Sequence, residues 1–177
     1  MIDQVKARIR EVKDFPKPGI GFKDIMPVVQ DAALYKYVID RLASWAREKK
    51  PQLIVGIESR GFLFAAPVAH SLGIGLAVIR KKGKLPWKTV AVFAPNEYAV
   101  EQFEMHADSI KPGQRVLILD DLIATGSSTI SAVNLVQKLG GAVSGFGALV
   151  ELVFLGGVKN IKKAHPGLDV FSLIKFD

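Results

Sequence analysis

Apolar residues recur along the chain at two spacings, and the alternation between them outlines a layered fold. Leu34, Val38, Leu42 and Trp45 share one face at helical spacing, and Lys49-Lys50-Pro51 ends that helix with cations and a residue that cannot continue it. Leu53–Ile57 is a short unbroken aliphatic run, which predicts a strand buried on both faces. Gly61–Leu72 then predicts a helix and 74–79 a second strand, so the three form a βαβ unit. Nearer the start, Ile2, Val5, Ile9 and Val12 predict a helix over 2–12. Thr89–Phe93 and 98–105 are strand candidates around the turn-forming Ala94-Pro95-Asn96-Glu97, an arrangement that suits a hairpin or flap.

A second aliphatic run, 116–119, is followed at once by Asp120 and Asp121. From Thr125 to Thr129 every residue is small or hydroxylated, and Ile130, Val133, Val136 and Leu139 then predict a helix that begins in or just after this loop and closes at Gly140-Gly141. Segments 142–150 and Val170–Phe176 complete the strand count. No linker or repeat divides the chain, so the pattern predicts one α/β domain over 1–177, with a central, mostly parallel twisted sheet flanked by helices.

Composition narrows the class without changing the fold. The chain has 177 residues, 49% hydrophobic and 23% charged, which suits a globule with a real core. It contains no cysteine, so disulfides and thiolate metal sites are excluded, and a reducing compartment is compatible. The apolar stretch 142–158 is interrupted by Glu151 and glycines, and 1–12 lacks a signal-peptide core; we expect no membrane partner and a cytoplasmic location. The net charge of +7 fits either nucleic acid or a small polyanion. Its densest cluster, Arg80, Lys81, Lys82 and Lys84, follows a predicted strand, and is either a solvated run or part of a ligand rim.

The candidate chemistry centres on 116–129. Asp120 and Asp121 fall at the carboxyl end of the predicted strand, where open α/β sheets hold their ligands. The amides of the loop and the start of its helix can bind an anion. A nucleotide-hydrolysing phosphate loop is excluded, since no Gly-x-x-x-x-Gly-Lys-Ser/Thr is present, and the glycine spacing of a dinucleotide fold is also absent. Carboxylates can accept hydrogen bonds from vicinal ribose hydroxyls while Thr125, Ser127, Ser128 and Thr129 hold a phosphate, so a ribose 5-phosphate group satisfies both halves. A plain polar turn with a Ser or Thr helix cap is the alternative. Ser59-Arg60-Gly61, between strand and helix, could grip pyrophosphate or merely cap the sheet rim. His70, His106 and His165 have no metal-ligand spacing, and Ser59 lacks a nucleophile elbow.

Residues 116–129 closely resemble the phosphoribosyl pyrophosphate signature of the type I phosphoribosyltransferases. Four more stretches resemble the adenine-using branch of that family: 15–25 (Phe-Pro-Lys-Pro-Gly-Ile-Gly-Phe-Lys-Asp-Ile), 56–62 (Gly-Ile-Glu-Ser-Arg-Gly-Phe), 80–86 (Arg-Lys-Lys-Gly-Lys-Leu-Pro) and 96–98 (Asn-Glu-Tyr). The resemblance implies an N-terminal hood over 1–30 and a flexible β-hairpin flap over 88–107. It implies transfer of phosphoribose from phosphoribosyl pyrophosphate to adenine, giving AMP and pyrophosphate in purine salvage, with magnesium and an oxocarbenium-like transition state. Asp120 and Asp121 would position the ribose and offset its charge, with magnesium held mainly through substrate and through water to this pair. Ala124, Thr125, Gly126, Ser127, Ser128 and Thr129 would take the 5-phosphate. Ser59, Arg60, Arg80, Lys81 and Lys84 would take pyrophosphate, with a cis peptide at Glu58-Ser59.

By the same resemblance Phe22 and Leu122 would sandwich adenine, backbone around Gly21 and Lys23 would read its edge, and Glu97 on the flap would assist proton movement. Without it, Phe22 is a core aromatic and Glu97 a solvated turn residue. The family's 80–84 segment also makes dimer contacts, which implies a homodimer. Four positions depart from the family pattern: Ser127 replaces a usual glycine and therefore needs either a negative φ or strain, Ser128 replaces a usual threonine, Lys23 replaces a frequent arginine, and Trp87 stands where glycine is common. A 6-oxopurine acceptor such as xanthine is the nearest rival. A phosphoribosyl pyrophosphate sensor that binds nucleic acid is more remote, because no helix-turn-helix pattern is present.

Overall fold

In the computed structural model, which describes residues 1–93 and 102–177, helices and strands alternate as the hydrophobic periodicity requires. The helices are α1 (Ile2–Arg8), α2 (Met26–Val29), α3 (Ala32–Glu48), α4 (Gly61–Leu72), α5 (Ser127–Lys138) and α6 (Gly157–Ala164). The strands are β1 (Arg10–Val12), β2 (Phe22–Asp24), β3 (Leu53–Ile57), β4 (Gly75–Lys81), β5 (Thr89–Phe93), β6 (Gln102–His106), β7 (Arg115–Ile123), β8 (Ala142–Leu152) and β9 (Val170–Phe176).

Seven strands form one sheet in the order β5-β6-β4-β3-β7-β8-β9. Pairing is parallel from β4 through β9, and antiparallel where β6 meets β4 and β5. Because side chains alternate along a strand, Ile54, Leu117 and Leu119 pack with α3 and α4 on one face, while Val55, Ile57, Val116 and Ile118 pack with α5 on the other. This two-sided burial explains the unbroken aliphatic runs of β3 and β7.

The N-terminal region differs from the expected helix over 2–12. It stops at Arg8, and Arg10–Val12 instead pairs antiparallel with Phe22–Asp24 as a separate two-stranded sheet. Ile9 is buried, but it reaches the core with extended backbone, φ −69° and ψ 117°, because 10–12 gain strand partners in 22–24. The 3₁₀ turn Val153–Leu155 and α6 have no counterpart in the sequence reading. Their apolar spacing is broken by Gly156-Gly157, and α6 is held by Ile161 buried against the sheet-facing cluster. Of the segment expected to form a flap, 89–93 and 102–106 form a β-ladder, and 94–101 lie outside the described residues.

Candidate active site

The site arises where the sheet reverses its direction of growth. From β3 the chain adds β4 on one side, and later β7 on the other, so β3 and β7 flank a topological switch point. β3 parts from β7 after the Gly56–Leu119 pair, while β8 stays alongside to Ile123 and Glu151. Asp120 and Asp121 therefore stand just beyond the divergence. They were expected at the strand's end; the strand instead runs to Ile123, because β8 continues to supply hydrogen-bond partners.

A cavity of about 490 Å³ opens here. Its walls include Ser59, Arg60, Lys81 and Lys84, then Asp120, Asp121 and Leu122, and the loop Ala124, Thr125, Gly126, Ser127, Ser128 and Thr129. Three stretches distant in sequence thus contribute cations, carboxylates and hydroxyls to one space. The loop meets the start of α5, whose N-cap is Gly126 with φ +87° and no side chain bonding back to the helix. No hydroxyl caps the helix, so its first amides remain available to an anion. The left-handed position falls on Gly126, and Ser127 is the first residue of the helix, so the side chain at 127 requires no strained backbone. The hydroxyls of Thr125 and Ser127 lie 3.0 Å apart.

Arg60 ties the remaining parts together. Its Nε is 2.8 Å from Asp121 Oδ2, an ion pair, and its guanidinium carbon lies 4.7 Å from the centre of the Phe22 ring. Phe22 is on β2 and packs edge-on against Phe15, with ring centres 5.2 Å apart. Phe22 is therefore beside the cavity although it does not line it. Gly21 sits immediately before it, and Lys23 directs its ammonium to Glu11 at 3.3 Å and to the face of Phe176. Glu97 lies outside the described residues.

Two carboxylates that the sequence reading passed over organise the basic segment. Glu58, whose side chain is only 7% exposed, pairs with Lys84 Nζ, accepts from the Lys81 amide at 3.0 Å and from Arg80 Nε at 3.2 Å. Arg80 also donates to the Lys84 carbonyl at 3.0 Å, so its guanidinium is engaged within the segment and does not line the cavity. Glu104, buried on β6, accepts through Oε1 from the amides of Gly83, Lys84 and Leu85 at 2.9, 3.2 and 3.1 Å, and through Oε2 from the Thr89 hydroxyl at 3.0 Å. A signal existed: Glu104 interrupts a buried apolar strand between Phe103 and Met105, and a carboxylate there requires partners. The Glu58–Ser59 peptide is cis, as the resemblance implied.

Burial pushes the carboxyls of both Glu58 and Glu104 up, but the hydrogen bonds they accept, joined at Glu58 by the charges of Lys84 and Arg80, outweigh it and hold both below the ordinary value. Asp120 behaves oppositely. Burial, then the adjacent charge of Asp121, pushes its carboxyl well above the ordinary carboxylate range, although it accepts the Asp121 amide at 2.8 Å. The arrangement thus presents cations, an anion-ready helix start and an acidic pair of which one member resists ionisation. It can hold a ligand that is anionic at both ends and carries hydroxyls between them.

Comparison with known proteins agrees with this geometry. Residues 29–174 match the phosphoribosyl transferase domain. The adenine phosphoribosyltransferase of Caldicellulosiruptor bescii is 52% identical over 98% of this chain and 97% of its own length, and that of Desulfitobacterium hafniense 49% identical over 95% of each. The crystal structure of the enzyme from Thermoanaerobacter pseudethanolicus superposes with a TM-score of 0.93 at 45% identity, covering 99% of this chain and 100% of that one. The Saccharomyces cerevisiae enzyme, solved with an imino-altritol bisphosphate and adenine, superposes with a TM-score of 0.87 at 33% identity over 98% of both chains. With the domain match spanning most of the chain and these relatives spanning nearly all of it, the chain belongs to the phosphoribosyl transferase family, among its adenine phosphoribosyltransferases.

Proposed function

We propose that the protein transfers phosphoribose from phosphoribosyl pyrophosphate to adenine, releasing pyrophosphate and forming AMP for purine salvage. The observation that carries this reading is the single cavity in which Asp120 and Asp121 meet the phosphate loop and the cations Arg60 and Lys84. A ribose with phosphate at one end and pyrophosphate at the other matches that spacing of charge types.

In the proposed reaction the loop 124–129 anchors the 5-phosphate by its amides and hydroxyls. Asp120 and Asp121 orient the ribose hydroxyls. As the bond from the anomeric carbon to pyrophosphate breaks, positive charge builds on the ribose; it favours the ionised form of Asp120 and is offset by the acidic pair. Arg60, Lys81 and Lys84, with the Ser59 amide, take the charge of the leaving group, and Arg80 supports them through its bonds to Glu58 and Lys84. Phe22 and Leu122 stack the base, the backbone at Gly21 and Lys23 reads its edge, and Glu97 moves the proton released when a ring nitrogen attacks. Flap closure excludes water, so that hydrolysis does not compete with transfer.

Magnesium fits the residues present. Among the described residues no cluster of three or more acidic, histidine or cysteine side chains forms a protein-only cage. The pair of hard oxygen donors at 120 and 121, with Asp121 Oδ2 buried and held by nothing beyond its ion pair with Arg60, suits a cation that reaches the protein partly through water and substrate. When bound, magnesium would neutralise pyrophosphate oxygens. The protein is also proposed to act as a cytoplasmic homodimer.

Incubation with phosphoribosyl pyrophosphate, magnesium and each of adenine, hypoxanthine, guanine and xanthine tests the reading. AMP from adenine is expected; nucleotide formed only from xanthine or another 6-oxopurine would assign the protein to the rival acceptor class. No nucleotide from any base, with a salt-dependent shift of DNA, would replace the enzyme by a nucleic-acid-binding sensor.

A further inference from the structure

Helix α6 lies outside every sequence motif of the site, yet one face of it is built against the phosphate loop. Gly157, Asn160 and Ile161 stand at i, i+3 and i+4, the spacing that places side chains on one side of a helix. Each meets the loop differently. At Gly157 an added Cβ would overlap the Ala124 carbonyl oxygen, so only glycine lets the two backbones approach this closely. Asn160 donates from Nδ2 to the Thr125 carbonyl at 3.0 Å. Ile161, fully buried, covers Gly126: a Cβ on Gly126 would stand 2.9 Å from Ile161 Cγ1 and 2.7 Å from the Gly157 carbonyl. Three successive loop residues, 124 to 126, are thereby fixed by one turn of a helix farther along the chain, Asn160 lying 35 residues beyond Thr125.

We propose that this face of α6 is a buttress for the phosphate loop, with Asn160 as a positioning residue that sets affinity for the ribose 5-phosphate end of the substrate without touching it. Asn160 does not line the cavity; it orients the Thr125 peptide. An anion cradle made of backbone amides binds well only when those amides converge, and a loop of small residues has few side chains of its own to hold them so. The carbonyl of Thr125, tied to Asn160, fixes the plane of the Thr125–Gly126 peptide and hence the direction of the Gly126 N–H. The inference rests on the phosphoribosyl reading of the cavity.

Its test is a pair of variants. Asn160→Ala removes the donor, and Asn160→Asp keeps the shape but offers a carboxylate to the carbonyl. Loss of one such hydrogen bond predicts a KM for phosphoribosyl pyrophosphate raised about three- to tenfold in Asn160→Ala. Asn160→Asp should raise it at least as far, while the KM for adenine and the melting temperature stay close to the parent values. A space-filling role would leave Asn160→Asp normal. Calorimetric titration with ribose 5-phosphate, without base, should rank the three proteins in the same order. Equal ribose 5-phosphate affinity in parent and variants overturns the buttress. Parent protein that binds ribose 5-phosphate but makes no AMP overturns the activity and leaves the buttress to be judged on the titration; parent protein that binds none overturns both.

Discussion

Glu104 shows how much a single buried carboxylate can organise. Three consecutive amides, of Gly83, Lys84 and Leu85, converge on one of its oxygens, so the backbone of the basic segment is wrapped around a charge on a neighbouring strand. Glu104→Ala should cost about 1–3 kcal/mol, the usual consequence of leaving buried polar groups unpaired, and should raise the KM for phosphoribosyl pyrophosphate; thermal melts and steady-state kinetics measure both. The pH dependence follows from the sign of the shift. Glu58 and Glu104 have carboxyls lowered on folding, so their contribution is complete above the unfolded value of about 4.3 and is lost as pH falls through the folded one. The melting temperature should therefore drop on acidification below about pH 4.3, and more shallowly in Glu104→Gln, where one titrating group is gone. Trp87 is a residue-scale cost of another kind. It is a non-glycine residue at φ +72° and 64% exposed, its main ring contact the edge of His106. Trp87→Gly should relieve about 1 kcal/mol and raise the melting temperature by about 2–4 °C.

At the scale of elements, β7 and α5 act as one device. The strand delivers two carboxylates to the switch point, and the helix begins a few residues later with uncapped amides. The left-handed Gly126 makes the turn between them. Gly126→Ala meets two obstacles at once, the positive φ and the Gly157 carbonyl 2.7 Å from the new Cβ. It should weaken ribose 5-phosphate binding by more than tenfold, measured by titration calorimetry, a change of more than about 1.4 kcal/mol. For the acidic pair, Asp120→Asn with Asp121→Asn should reduce turnover by at least about a hundredfold, the scale of losing charge stabilisation at a reacting centre, with an unchanged circular dichroism spectrum. Near-parental turnover would remove the pair from its proposed role.

For the whole molecule, one sheet sets two boundaries. Parallel strands from β4 through β9 build the cavity at their centre, and the antiparallel β5-β6 ladder extends the same sheet into the flap segment. Lys138, at the far end of α5 from the cavity, donates to the Ala91 carbonyl of β5 at 3.1 Å. One helix, α5, therefore touches both the cavity and β5. The proposed homodimer is checked by sedimentation velocity, which should give a mass near twice 19.3 kDa.

Local sequence determined the strands β3 and β7, the helices α3, α4 and α5, and the small, hydroxyl-rich composition of the loop after Asp121. Burial on both faces forces unbroken aliphatic runs, and a tight loop that opens a helix with uncapped amides needs small residues, so both leave local marks. The identities of the cavity's cations were legible for the same reason, through short motifs. The tertiary structure alone decided which groups meet. It brought Glu58 and Glu104 under the basic segment, turned Arg80 inward to Glu58, set Arg60 over Phe22, and laid Gly157 and Asn160 against the phosphate loop. It also ended β7 two residues past the acidic pair and turned 10–12 from helix to strand. Such outcomes depend on pairing and close approach between segments far apart in sequence, and hydrophobic periodicity records only what each segment does with its own faces.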